Sequence, residues 1–159
     1  MTTLTVGLAR TDAELRALLP DWDMLWRRIP EATPFQSPVW MAPWWEQFGT
    51  GRPLVATMRA DDGGLLGLLP LYVLDEPPER KLLPIGAGTT DYLDALLDPE
   101  APPGAAGRLL AAALADAARA GVNACDLVNL PPGSPLIDAP PPPGWREAAR
   151  WSESGTVLA

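Results

Sequence analysis

The stretch Gly86-Ala-Gly-Thr-Thr-Asp-Tyr-Leu-Asp94 gathers two carboxylates and a phenol onto one short segment. A carboxylate such as Asp91 or Asp94 can accept a proton from an attacking amine, and a phenol such as Tyr92 can donate one to a departing thiolate. The flanking glycines let a ligand or another backbone approach closely. The same residues are also ordinary turn formers, with Asp capping loop amides. A second candidate is Gly104-Ala-Ala-Gly107, placed just before a helix. Amides exposed at a helix N-terminus suit a pyrophosphate, so Gly104 and Gly107 are candidate cofactor contacts. Neither a Walker loop nor a dinucleotide fingerprint is present.

A third candidate is aromatic. Trp40, Trp44 and Trp45 lie within Pro34-Phe-Gln-Ser-Pro-Val-Trp-Met-Ala-Pro-Trp-Trp-Glu-Gln-Phe-Gly49. In a helix Trp40 and Trp44 share a face, which Phe48 continues, whereas adjacent residues diverge. Either the stripe is core, or one of Trp44 and Trp45 is exposed as a stacking wall for a sugar, an acyl chain or a partner domain.

Composition narrows the chemistry. The chain of 159 residues has no histidine and one cysteine, Cys125. No Ser–His–Asp or Cys–His apparatus can be built from it, and a zinc site would need ligands drawn almost wholly from carboxylates, so no metal is expected. Cys125 sits in the apolar run 124–130 and reads as a small buried hydrophobe. The net charge of −8 argues against nucleic acid and anionic membranes as partners. No apolar run reaches the length of a membrane span, and residues 1–25 lack a secretory pattern, which together imply a cytoplasmic protein.

The elements that must position these residues follow from local signals. Residues 3–9 alternate and predict a strand. Thr11-Asp-Ala-Glu14 is a capping-box pattern that starts a helix with the stripe Leu15, Leu18, Leu19, Trp22, Leu25, Trp26 and Ile29, kinked or split at Pro20. Ser37-Pro38 starts a helix over 38–48 that stops at Gly49. Strands are expected at 54–60 and 65–74, joined by the turn Asp61-Asp-Gly-Gly64, with a bulge or an unpaired stretch at Pro70. Further strands are expected at 81–86, 92–97 and 124–130, with an Ala-rich helix over 105–120. The run Pro131–Pro143, with seven prolines, is a loop, and residues 145–159 read as a last strand or hairpin. The fold class is α/β (α+β), one domain with a mixed, mostly antiparallel sheet flanked by helices.

The stretches Pro34–Trp40, Trp44–Gly49, Gly67-Leu-Leu-Pro-Leu-Tyr72 and Gly88-Thr-Thr-Asp-Tyr-Leu-Asp94 occur in this order, followed by Asp126-Leu-Val-Asn-Leu-Pro131 and Ser134-Pro-Leu136. Over roughly residues 20–137 this pattern resembles the N-terminal half of CelD-type (cellulose-biosynthesis-type) N-acetyltransferases of the GNAT superfamily. The resemblance implies a GNAT-like fold, transfer of an acyl group from acetyl-CoA or another acyl-CoA to an amine-bearing small molecule, and a partner that is a second GNAT-like half or a second copy. On this reading a site would lie on the 86–94 loop, with Asp91 or Asp94 as proton acceptor and Tyr92 as donor, and with Gln36, Trp40, and Trp44 or Trp45 toward the acceptor cleft. The family's Arg/Gln-x-x-Gly-x-Gly/Ala loop is missing, and only Gly104-Ala-Ala-Gly107 stands in its place, so the half is not expected to be self-sufficient. A non-catalytic interaction module and a carbohydrate-binding domain are the alternatives.

Overall fold

Nearly continuous apolar runs in the middle of the chain bury both faces of a central sheet. In the computed structural model, which describes residues 3–150, the elements are β1 (Thr5–Ala9), α1 (Asp12–Arg28), a 3-10 turn (Pro34–Gln36), α2 (Pro38–Phe48), β2 (Arg52–Arg59), β3 (Leu65–Glu76), β4 (Glu79–Pro84), β5 (Leu96–Leu97), α3 (Ala105–Arg119) and β6 (Ala124–Cys125). The sheet runs β1-β2-β3-β4-β6, with β5 also on β3. All pairings are antiparallel except β4 with β6. Leu54, Ala56, Met58, Leu69 and Leu71 face one core, completed by Leu109, Ala113 and Leu114 of α3. Val55, Leu68 and Tyr72 face the other, completed by Leu15, Trp22, Met41, Trp44 and Trp45 of α1 and α2. The molecule is therefore three layers, with α1 and α2 on one side of the sheet and α3 on the other.

Local signals explain the helix ends. Thr11 Oγ1 accepts the amide of Glu14 at 3.1 Å and caps α1. Ser37 caps α2 with Pro38 in the first turn, and the helix ends at Gly49 as its sequence predicts. Gly49 is not left-handed (φ −64°). It is glycine because a Cβ there would lie 2.4 Å from the Trp45 carbonyl oxygen. α1 runs unbroken through Pro20, not as two helices. Pro20 and Arg16, whose carbonyl loses its donor, are both exposed, and that carbonyl is left to solvent.

Three strands are shorter than expected. Only Leu96–Leu97 of 92–97 and only Ala124–Cys125 of 124–130 pair with the sheet. Residues 145–150 carry no strand, and the rest of that expected element lies outside the described residues. Cys125 is half-buried against the α3-side core, and burial pushes its thiol up to about 12. Among the described residues no helix is long and apolar enough to cross a membrane, and no cluster of His, Cys, Asp or Glu could hold a metal ion.

Asp116 of α3 ties the strand ends to the helix. Arg10 reaches it at 2.7 Å, Arg52 at 3.5 Å and Arg119 at 4.0 Å. Burial alone would raise the Asp116 carboxyl, but the hydrogen bond and charge of Arg10, with Arg52 behind them, hold it below its ordinary value. A depressed carboxylate adds stability above its unfolded pKa and loses it as pH falls through the folded one. Asp116→Asn is therefore expected to unfold at lower urea than the parent near neutral pH. The gap should close as pH drops below the ordinary value of 3.8. A gap that stays constant with pH would show that the carboxylate charge is not the cause.

Candidate active site at a broken strand

β4 and β5 are two pieces of one strand. Glu79 to Pro84 pair with Glu76 to Leu71 of β3, and Ile85 N then donates to the Pro70 carbonyl at 3.0 Å. After an excursion over residues 86–95, Leu96 and Leu97 pair with Leu68 and Gly67, and Asp98 N donates to the Leu66 carbonyl at 2.8 Å. Pro70 sits at the break. Its carbonyl points toward Ile85, so its missing N–H faces the same gap, where no strand asks for a donor. On its other side Pro70 keeps register with Val55, and the one register shift of that pairing lies at Met58/Arg59. The unpaired stretch expected at Pro70 is thus real, on one edge only. Gly86 opens the excursion at φ +102°, where a Cβ would press on Leu93 Cδ2 at 2.8 Å and Thr90 Oγ1 at 2.9 Å.

α2 holds this loop in place. Trp44 Nε1 donates to Thr89 Oγ1 at 2.7 Å and Trp40 Nε1 donates to Thr90 Oγ1 at 3.1 Å. Two indoles four residues apart thus meet two consecutive hydroxyls. On the far side Asn129 grips the loop twice. Its carbonyl accepts Leu93 N at 3.0 Å, and its Nδ2 donates to the Thr90 carbonyl at 2.8 Å. β6 leaves β4 just after Asp126 N bonds the Leu82 carbonyl, and the chain turns at Asn129 to make this contact.

Where the strands part, a narrow apolar cleft of about 10 Å³ is lined by Met41, Pro70, Ile85, Leu93, Leu127 and Leu136 among others, with Asp94 as its one ionisable wall. Asp94 Oδ1 accepts from Ser134 Oγ at 2.7 Å and from Ala95 N at 2.8 Å. Burial raises the Asp94 carboxyl above its ordinary value, against the downward pull of these two bonds.

The other expected residues are distributed around this point. Asp91 and Tyr92 are exposed and do not line the cleft, because buried Leu93 separates them from Asp94. Trp44 and Trp45 are both buried, as the core reading has them, and neither is an exposed stacking wall. Both rest on Tyr72, with ring centroids at 5.8 and 5.5 Å, and Trp45 Nε1 donates to Asp12 Oδ1 at 2.8 Å. The helix is wedged between α1 and the 86–95 loop, so two diverging faces both find cover. Trp45 instead borders a separate cleft of about 290 Å³ with Arg16, Glu46 and Gly51. The exposed indole is Trp40. Gln36 is buried, and its Oε1 accepts Thr33 N at 2.9 Å in a capping box. Gly104 is the left-handed N-cap of α3 (φ +79°), and Gly107 stands in the first turn, with its Cβ position 3.8 Å from Ala139. Sequence reasoning did not single out Thr89, Thr90, Asn129 or Ser134. The adjacent Thr89-Thr90 pair, between a glycine-bearing stretch and an acidic one, was the available signal.

The fold recurs in a group of known structures. An acetyltransferase from Trypanosoma brucei matches 96% of this chain and 100% of its own at a TM-score of 0.56 and 15% identity. The fold is that of the GNAT N-acetyltransferases. A ribosomal-protein-alanine N-acetyltransferase from Brucella melitensis biovar Abortus matches at 0.55 and 17% identity, over 99% of this chain and 100% of its own. AAC(6')-Iy, solved with the bisubstrate analogue CoA-S-monomethyl-acetylneamine, matches at 0.54 and 15% identity, over 97% and 99%. The GNAT likeness thus runs the length of these chains. No protein-family model and no curated protein matches the sequence.

Proposed function

We propose that this chain is an acyl-CoA-dependent N-acyltransferase domain, the CelD-type N-terminal half of a tandem GNAT arrangement whose site a second GNAT-like half or a second copy completes. The observation that carries this reading is the broken strand, which sets the Asp94 carboxylate beside an apolar cleft at the point where β4 and β6 part. Asp94 is the proton acceptor for the incoming amine, since burial has raised its basicity. The residues fit an acyl-CoA in chemistry and not in volume, since a cleft of about 10 Å³ is no larger than a site for one water. The apolar cleft walls suit the acyl end, and the first-turn amides of α3 beside Gly104 and Gly107 suit the pyrophosphate. When bound, that group supplies an acyl carbon activated as a thioester.

Charge fits less well at the same helix. Pro102 and Pro103 bring no donors, Glu100 adds a negative charge, and Arg28 is occupied by Asp98 at 2.9 Å, which leaves exposed Arg108 in the first turn to meet the phosphates. This is the reason a second half enters the proposal. It also supports the reading of an interaction module, favoured further by exposed Val39, Trp40 and Phe48 on α2. The carbohydrate reading has no row of indoles to rest on, since Trp40 is the one exposed tryptophan among the described residues.

Calorimetric titration with acetyl-CoA, with mass by light scattering on the same sample, tests the proposal. Saturable binding with a Kd of about 1 mM or tighter, near −4 kcal/mol, is expected and should be competed by free CoA. Heats no larger than dilution throughout that range would overturn a self-sufficient enzyme and leave the interaction half.

A further inference from the structure

We propose that Phe35, Trp40 and Tyr92, with the carboxylate of Asp91, form a subsite for a fixed positive charge, an alkylammonium group that the acceptor carries in addition to the amine being acylated. Only the word acceptor depends on the transferase reading. The cation subsite itself rests on the geometry of the three rings, with Asp91 next to Tyr92 in the chain.

Phe35 meets Trp40 edge to face, with centroids at 5.2 Å and planes at 82°, and lies 6.5 Å from Tyr92 at 40°. Rings that meet by their edges and tilts leave π-faces open, and Trp40 and Tyr92 are 39% and 46% exposed. The cluster is held firmly. The Trp40 indole is tied to Thr90, Thr90 is tied to Asn129, and Asn129 also takes the amide of Leu93. Asp91 and Tyr92 are therefore the tip of a loop fixed on both sides. Asn129 adopts φ +55° to make both contacts, the one non-glycine residue in the left-handed region among the described residues. Such a conformation persists where its surroundings enforce it.

The chemistry of the tip selects the occupant. Asp91 is exposed and has no ion pair or hydrogen bond to its carboxylate among the described residues. Aromatic faces attract cations through their quadrupoles, most strongly alkylammonium groups held among several rings. An uncharged apolar partner would strip water from Asp91 without compensating it, and an anion would meet its charge directly. A chain with net charge −8 further favours a cation.

The test uses the full chain without acyl-CoA, so its outcome is independent of the acetyl-CoA titration. Choline is the probe, and its uncharged carbon isostere, 3,3-dimethylbutan-1-ol, is the control. The readout is the NMR signal of the Trp40 indole N–H, assigned through Trp40→Phe. Choline is expected to move that signal saturably at millimolar concentration, with the isostere at least about tenfold weaker. Asp91→Asn, checked for unchanged circular dichroism, should weaken choline severalfold and leave the isostere unaffected. Equal response to both compounds, no saturable response to choline, or an Asp91→Asn variant that binds choline as before would each overturn the subsite. If choline binds and acetyl-CoA does not, the cation subsite stands and the self-sufficient enzyme falls. The reverse result removes the subsite alone.

Discussion

Asp94→Asn is expected to lower amine acylation by about a hundredfold or more while raising the melting temperature near neutral pH. The loss follows from removing the one ionisable group in the cleft wall. The gain in stability follows from the same burial. Asn Oδ1 can accept from both Ser134 Oγ and Ala95 N as the carboxylate does, so the variant keeps the two bonds and drops only the desolvated charge. The sign is fixed by linkage. A carboxyl raised in the folded state favours folding below its unfolded pKa, and that contribution disappears as pH rises through the folded value. The variant does not titrate. Its advantage should therefore be greatest at neutral pH and vanish below the ordinary value of 3.8. Acylation assays and thermal unfolding across pH measure both effects on one preparation. A variant that is both active and no more stable would remove Asp94 from the mechanism and from the account of its burial.

Trp22→Ala should cost about 3–5 kcal/mol, a large share of the ~5–15 kcal/mol typical of a domain. Trp22 is 1% exposed in the core of α1, α2 and the sheet, and its Nε1 donates to the Gln36 carbonyl at 2.9 Å. Trp26 makes the matching bond to the Thr33 carbonyl at 2.8 Å. Both indoles thus fasten the α1–α2 connection that carries Phe35. Trp22→Phe keeps most of the bulk but leaves the Gln36 carbonyl unpaired, at a cost of about 1–3 kcal/mol. Urea unfolding of the two variants separates packing from the hydrogen bond. Equal losses in both would assign the whole effect to the bond.

The elements set by neighbouring residues were legible in the sequence. Helix α2 was expected over 38–48 from Ser37-Pro38 and Gly49, and it spans Pro38–Phe48. The turn Asp61–Gly64 joins β2 to β3, with the Gly64 amide donating to Asp62 Oδ1 and Gly63 left-handed. Continuous apolar runs at β2 and β3 are buried on both faces. These outcomes depend on caps, turn geometry and hydrophobic pattern, all of which act within a few residues.

The site needed the tertiary structure. Residues 86–95 interrupt a strand because Ile85 and Leu96 are placed in line by β3, far away in the chain. Asp94 faces the cleft and Tyr92 the surface because Leu93 must be buried between them. Neither Trp44 nor Trp45 is free, because α2 is covered on two sides. Asn129 grips Thr90 and Leu93 across a gap of more than thirty residues. By itself the sequence determined where the chain turns, caps and goes apolar, since those are local free-energy preferences. Only the packed structure decided which carboxylate is desolvated and which is left in water, because burial is a property of neighbours brought together by the fold.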